Sequence, residues 1–386
     1  MMDAERLLRR MVDQGDYAAD EESLLAYSYD ASGLEGRPLA VLKPRDEEQV
    51  RRILVHANQY RLPVVPRGAG TGIRGGCVKE GAVILDLRHF DAIERLDAQR
   101  RTVDVGAGVT VRELNAALAK RGYRFPLVPD DEEATIGGLA SQNHITEESF
   151  LVGDYHDVIE QATCFDALGR HHLLKGADLA KAIGTEGIAS VLLTLRVKVL
   201  PTHKLTADIF PAKDAAAALD ALDSLPKKGA LLAEYFDAAA ARLLKLEGPC
   251  LLVAYANDDG SYKDREYVEA LLAKRKGLEK TLWAKGLAAE EAALTREQLP
   301  AFLNLCAKEG WMCFGHLGGG ILLAAVERTE RETFWNKTLA LGALPGGKHG
   351  FGRVKREYVP QEVKKMLLEL KEERDYNGIL NPGVLV

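Results

Sequence analysis

The stretch "VPRGAGTGIRGG", residues 65–76, sets five glycines among twelve positions, within and just after the apolar, β-branched run "LPVVP". A glycine-rich turn leaving a strand does one of two things. It makes a tight connection that needs positive φ, or it lets successive amide N–H groups approach an anion with no Cβ in the way. The loop has no G-K-[ST], which excludes the common nucleoside-triphosphate loop, and the first strand–turn–helix unit has no G-x-G-x-x-G. On the loop alone, both readings stay open.

Upstream, "PLAVLKP" (38–44) reads as a strand and "DEEQVRRILVHANQY" (46–60) as an amphipathic helix, with Asp46 and Gln49 spaced as a capping box and Val50, Ile53, Leu54 and Ala57 on one face. Downstream, "AVILDL" (82–87) and "RTVDVGAG" (101–108) read as strands, and "TVRELNAALAKRG" (110–122) as a helix with a second capping box, Thr110 to Glu113. The strand-like "VLLTLRVKVLP" (191–201) closes this mixed α/β region. Beyond it, alanine-rich helices at 214–225 and 237–246 flank strand-like pieces at 230–236 and 250–257, an α+β pattern that puts a boundary near residue 205. The segment 263–299 is helical by period.

The chain has 386 residues, 47% hydrophobic and 28% charged, with no uninterrupted apolar run of membrane-spanning length. Its charged N-terminus lacks the apolar core of a signal peptide. With a net charge of −6 and no basic run interleaved with aromatics, nucleic acid is excluded as an expected partner. The five cysteines are scattered with no C-x-x-C pair, which fits buried thiols in a reducing cytoplasm and no iron–sulfur cluster of the chain's own.

P-R-G-A-G-T-G-x-x-G-G resembles the pyrophosphate loop of the FAD-binding domain in the vanillyl-alcohol oxidase and p-cresol methylhydroxylase superfamily. "YSYDASGLEGRPLAVLKPRDEEQV" (27–50), "GAGVTVRELNAALAKRGYRFP" (106–126), "ATIGG" (134–138), "GTEGIASVLLTLRVKVLP" (184–201) and "NGILNPG" (377–383) are similar, in order, to segments of its D-lactate dehydrogenase and glycolate oxidase flavoprotein branch. The resemblance implies an α+β fold: a two-subdomain FAD-binding domain over 1–205, a ferredoxin-like antiparallel cap over 206–345, and a C-terminal segment, 346–386, returning to the first domain.

It also implies the cofactor contacts. Pro66, Arg67, Gly68, Ala69, Gly70, Thr71, Gly72, Gly75 and Gly76 would wrap the FAD diphosphate; Pro129, Thr135, Ile136, Gly137 and Gly138 would form a second contact turn; Glu186, Gly187, Ile188 and Val191 would form a third, with Asn381 near the ring system. Relatives that attach FAD covalently often use a histidine in this loop, where Thr71 stands here, so non-covalent FAD is expected. The acidic run Asp130–Glu133 would repel a diphosphate unless exposed or offset, for instance by Arg74.

Oxidising a 2-hydroxy acid needs a base for the hydroxyl proton and a cation for the carboxylate. In the branch, H-x-G-D-G-N-x-H and E-H-G-I-G supply metal ligands and a histidine base, and an arginine after a cap tryptophan holds the carboxylate. Here His316 matches the first ligand, but Gly319, Ile321 and Leu323 replace the acid, the asparagine and the second histidine. His349 matches the base, Lys348 replaces the ligand glutamate, and Gly286, beside Lys285, replaces the arginine after Trp283. One imidazole does not hold a catalytic divalent ion, so no metal is expected.

Two readings follow. In one, the chain is a metal-independent D-2-hydroxy acid dehydrogenase of lactate or glycolate type, with catalytic His349, Lys348 and His316, Lys348 taking the metal's place. In the other, it is a non-catalytic FAD-containing relay or scaffold subunit of a larger redox complex. Either implies an electron-accepting partner, an iron–sulfur subunit or electron-transferring flavoprotein. His144 replaces part of a glycine-containing stretch of the branch, His156 lies where relatives approach the flavin, and His171 and His172 mark a surface hairpin.

Overall fold

The structure is a computed structural model that describes residues 7–225, 230–256, 260–262 and 264–386. Residues 1–6 of the expected first domain, residues 226–229 and 257–259 of the expected cap, and Lys263 at the head of the expected long helix lie outside the described residues. The chain divides into two compact units, one running up to His144 and including Asp154–Pro201 and His349–Val386, the other made of Ile145–Gly153 and Thr202–Lys348.

The first unit contains strands β1 (Tyr17–Ala18), β2 (Ala40–Leu42), β3 (Val64–Arg67), β4 (Val83–Asp86), β5 (Thr102–Gly106), β6 (Tyr123–Arg124), β7 (Ile159–Phe165), β8 (His171–Lys175), β9 (Val191–Lys198) and β10 (Leu200–Pro201). One sheet has the order β1-β2-β4-β3, with β2, β4 and β3 parallel, and a second has the antiparallel order β5-β9-β7-β8. The helix Glu47–Tyr60 makes the crossover from β2 to β3 and buries Val50, Ile53, Leu54 and Ala57 against Leu42, Val64, Val83 and Leu85. Those four positions share one helical face, and Coulomb-free burial of that face is what holds the helix on the sheet.

The two expected capping boxes differ. Thr110 and Glu113 exchange both bonds, Glu113 N donating to Thr110 Oγ1 (3.2 Å) and Thr110 N to Glu113 Oε2 (2.9 Å). Asp46 accepts from Gln49 N (2.8 Å), but Gln49 Oε1 reaches one residue further, to Arg45 N (2.8 Å).

The second unit is a six-stranded antiparallel sheet of β11 (Thr206–Pro211), β12 (Ala230–Phe236), β13 (Cys250–Tyr255), β14 (Leu287–Ala293), β15 (Met312–His316) and β16 (Ile321–Glu327), in the order β11-β13-β12-β15-β16-β14. Leu244, Val268, Leu271, Leu278 and Leu282 pack on it from helices. Residues 263–299, helical by period, break here: the helices Arg265–Lys276 and Leu278–Ala284 end at Gly286 (φ +85°), and Leu287–Ala293 pairs with β16 as an edge strand. "LAAEEAA" has helix-forming composition, but sheet pairing and the burial of Glu290 against Trp335 Nε1 (2.8 Å) and Arg331 Nε (2.7 Å) override it.

Residues Ile145–Gly153, read from the sequence as part of the first domain, group with this unit. The phenyl ring of Phe150 lies against Gly318, where an added Cβ would come within 2.5 Å of it. Among the described residues no helix is long and apolar enough to cross a membrane.

Candidate cofactor and active site

In the first unit, β3 delivers Pro66 and Arg67 to the glycine loop. The Arg67 guanidinium does not face outward: it donates to the carbonyls of Tyr29 (3.0 Å), Cys77 (3.2 Å) and Ala26 (3.4 Å), tying the two ends of the loop to the preceding segment. Ala69 and Thr71 lie between the glycines, half-buried. The loop packs tightly on one side, since a Cβ at Gly68 would meet Thr135 Oγ1 at 2.2 Å and one at Gly70 (φ +76°) would meet the Arg67 guanidinium at 2.3 Å. Its other side is open: nothing lies within 4 Å of a Cβ built on Gly76, and at Gly72 there is only Gln142 Nε2, at 3.7 Å. Gly75 (φ +72°) lies against Leu34.

The turn after buried Pro129 runs into Thr135, whose Oγ1 accepts from Gly138 N (3.3 Å) and caps Ile136–Gln142. Gly137 allows this turn to sit on Ala107, whose carbonyl oxygen would be 2.8 Å from an added Cβ. Glu133 pairs with Arg112, and both are exposed, so this member of the acidic run is neutralised at the surface.

Glu186 (φ +47°) joins the third turn to the segment that carries His349. Its carboxylate accepts from Phe351 N and Gly352 N, each at 2.8 Å, and its carbonyl accepts from Asn381 Nδ2 at 2.8 Å. The same Asn381 Nδ2 donates to Gly76 O (2.8 Å), while Asn381 Oδ1 is buried with no hydrogen-bond partner among the described residues. Asn381 and Gly187, which packs beside Pro66, therefore gather the glycine loop, the third turn and the C-terminal segment. Ile136, Ile188 and Val191 are wholly buried among protein side chains, so they support these turns rather than line an open surface. His349 is half-buried, its ring 5.0 Å from that of buried His144.

Lys348 and His316 belong to the second unit, inside a buried cluster of charges. His316 Nδ1 lies 2.9 Å from Glu234 Oε1, and Arg275 donates to both oxygens of Glu234 (2.5 and 2.7 Å) and to Glu147. Lys348 Nζ donates to Glu279 Oε1 (2.6 Å) and stands 4.0 Å from Glu147. Burial, the largest single influence, pushes the Glu147 and Glu234 carboxyls up, but Arg275 and His316 together, with Lys348 beside Glu147, outweigh it and both sit below the usual carboxylate range. Glu147, Glu234, Arg275 and Glu279 were invisible to sequence reasoning: they are far apart in the chain and match no motif.

Glu147, Glu234 and His316 could each offer a ligand atom within 4.8 Å of the others. The donor set does not fit a divalent ion. Both carboxylates already hold Arg275, and a dication about 4 Å from a guanidinium would be repelled by roughly 8 kcal/mol at an effective dielectric near 20.

Residues 38–175 match the family described as a FAD binding domain. The chain is 27% identical to the glycolate oxidase subunit GlcD of Bacillus subtilis (strain 168), over 93% of this chain and 91% of that one. It is 25% identical to a D-lactate dehydrogenase of Archaeoglobus fulgidus, over 90% of this chain and 91% of that one. Its fold is similar to that of an alkyldihydroxyacetonephosphate synthase, with a TM-score of 0.74 at 16% identity, over 99% of this chain and 84% of that one.

The first unit fits FAD: a glycine loop closed on its protein side and open at Gly72 and Gly76, and a buried amide oxygen on Asn381 with no partner among the described residues. A matched FAD binding domain over residues 38–175, relatives alike almost end to end and a glycine loop with one bare face make the chain a FAD-dependent oxidoreductase, similar to glycolate oxidase and D-lactate dehydrogenase flavoproteins.

Proposed function

We propose that the chain is a FAD-dependent oxidoreductase acting on a small 2-hydroxy acid of the D-lactate or glycolate type, with FAD held non-covalently, no catalytic metal, and a separate redox protein as electron acceptor. The observation that carries the reading is the Glu186 bridge: the carboxylate of the third cofactor turn grips the amides of Phe351 and Gly352, and so places His349 on the framework that holds the glycine loop. The names of the relatives supply the substrate class.

FAD, when bound, supplies the two-electron acceptor. An imidazole nitrogen of His349 takes the proton of the substrate hydroxyl as general base. Lys348 and His316 act in this reading from within the charge cluster. With its ammonium group committed to Glu279, Lys348 anchors the turn before His349 and does not clamp a substrate carboxylate. The same burial favours a second reading, a relay or scaffold subunit, because it leaves neither Lys348 nor His316 exposed to a substrate.

The test is anaerobic. D- and L-2-hydroxy acids are added to chelator-treated holoprotein while the flavin band near about 450 nm is followed. Bleaching by one acid, abolished in His349→Ala, is expected. A full FAD complement that no acid bleaches moves the assignment to the relay reading, and bleaching only after a divalent metal is added overturns metal independence.

A further inference from the structure

We infer that Arg353 is a cationic contact for the diphosphate of the bound FAD, outside every glycine turn that marks the cofactor site; this rests on the chain's being a FAD protein. Arg353 lies four residues beyond His349, where its backbone runs directly along the end of the glycine loop. Its N–H donates to Arg74 O (2.8 Å), as does that of Val354 (3.2 Å), and a Cβ at Gly352 would stand 2.1 Å from the same oxygen.

The side chain is half-buried and incompletely satisfied. Nη2 donates to Pro382 O (2.7 Å), but Nε is buried with no acceptor, and among the described residues no carboxylate forms an ion pair with the guanidinium. Asp30 acts on it only from a longer range, its Oδ1 being engaged by Ser32 N and Oγ. Burial and the neighbouring Arg356 charge push Arg353 below its ordinary value, and burial together with Arg353 does the same to Lys79. These cations repel one another beside a loop whose Gly76 face is open. Chains rarely bury an arginine without an anion, because its fork of donors goes unmet. The missing partner is an anion from outside the chain, and in FAD the full negative charges are on the diphosphate, for which the glycine loop is shaped.

ADP, which has the diphosphate but no flavin ring, separates the possibilities. Dissociation constants for FAD and ADP are measured on apoprotein over a range of salt for the parent chain, Arg353→Met, Arg353→Gln and Arg353→Lys. Arg353→Met is expected to weaken both ligands by the same factor, about 10- to 100-fold for a lost charge-assisted bond, with a shallower salt dependence. Arg353→Lys is expected to fall between. Arg353→Gln keeps a donor for Pro382 and removes the charge, so it carries the test if the methionine variant does not fold. Unchanged ADP affinity with a lowered flavin midpoint potential would put Arg353 at the ring and overturn the inference, as would unchanged affinity for both ligands. A parent chain that binds neither FAD nor ADP would instead sink the FAD reading.

Discussion

Replacing Arg275 by methionine tests the account of the charge cluster most directly. Arg275 is 2% exposed and faces Glu234, 0% exposed, and Glu147, 6% exposed. Removing the common partner of buried carboxylates costs about 3–5 kcal/mol, because the charge left behind is desolvated and uncompensated. His316 at 2.9 Å from Glu234 and Lys348 at 4.0 Å from Glu147 compensate in part, which puts the expected loss near about 4 kcal/mol. All three tryptophans, Trp283, Trp311 and Trp335, lie in the second unit, so urea unfolding followed by tryptophan fluorescence reports on that unit. With a slope of about 2 kcal/mol per molar urea, the midpoint falls by about 2 M.

The pH dependence has a definite sign. In the parent chain the folded Glu147 and Glu234 values are lowered, so the stability they contribute is complete above the ordinary glutamate range and is lost as pH falls through the folded values. Without Arg275, burial raises both carboxyls, the variant binds protons on folding, and its deficit shrinks as pH falls from about 8 to 5. Adding Glu147→Gln and Glu234→Gln to Arg275→Met is expected to recover most of the loss. A cost below about 1 kcal/mol, or a deficit independent of pH, would refute the reasoning.

Two further predictions concern the first unit and the thiols. Glu186→Gln removes a charged acceptor from Phe351 N and Gly352 N, and is expected to cost about 1–2 kcal/mol and lower the holoprotein melting temperature by about 3–6 °C, with no effect on melting counting against the bridge. Burial pushes Cys77 up to about 12 and Cys164 and Cys250 up to about 11. A disulfide reagent at about pH 8 is therefore expected to label these three slowly in the native protein and all five cysteines on unfolding; rapid native labelling would contradict their placement.

The parts of the fold that were legible before any coordinates are those whose cause is local. Val50, Ile53, Leu54 and Ala57 lie on one helical face by period alone, and the Thr110–Glu113 box spans a single turn. Glycine spacing at 68–76 announces a backbone in close quarters, whether a tight turn or a ligand approach, and only glycine permits the contacts with Thr135 and Arg67 found at Gly68 and Gly70. The errors came where local preference and tertiary context disagree. Leu287–Ala293 has the composition of a helix and is an edge strand, and nothing near Lys348 in the sequence announces that it is 1% exposed and paired with Glu279, 69 positions away.

By itself, then, the sequence determined the cofactor loop, the alternating order of the first unit and the loss of the usual ligand pattern around His316 and His349, since each depends on residues a few positions apart. Only the tertiary structure decided what stands beside His316. Glu234 and Arg275 are separated by 41 positions and Glu147 and Arg275 by 128, and burial turns such distant charges into one interacting group because, away from water, a carboxylate is stable only beside a partner that the fold brings to it.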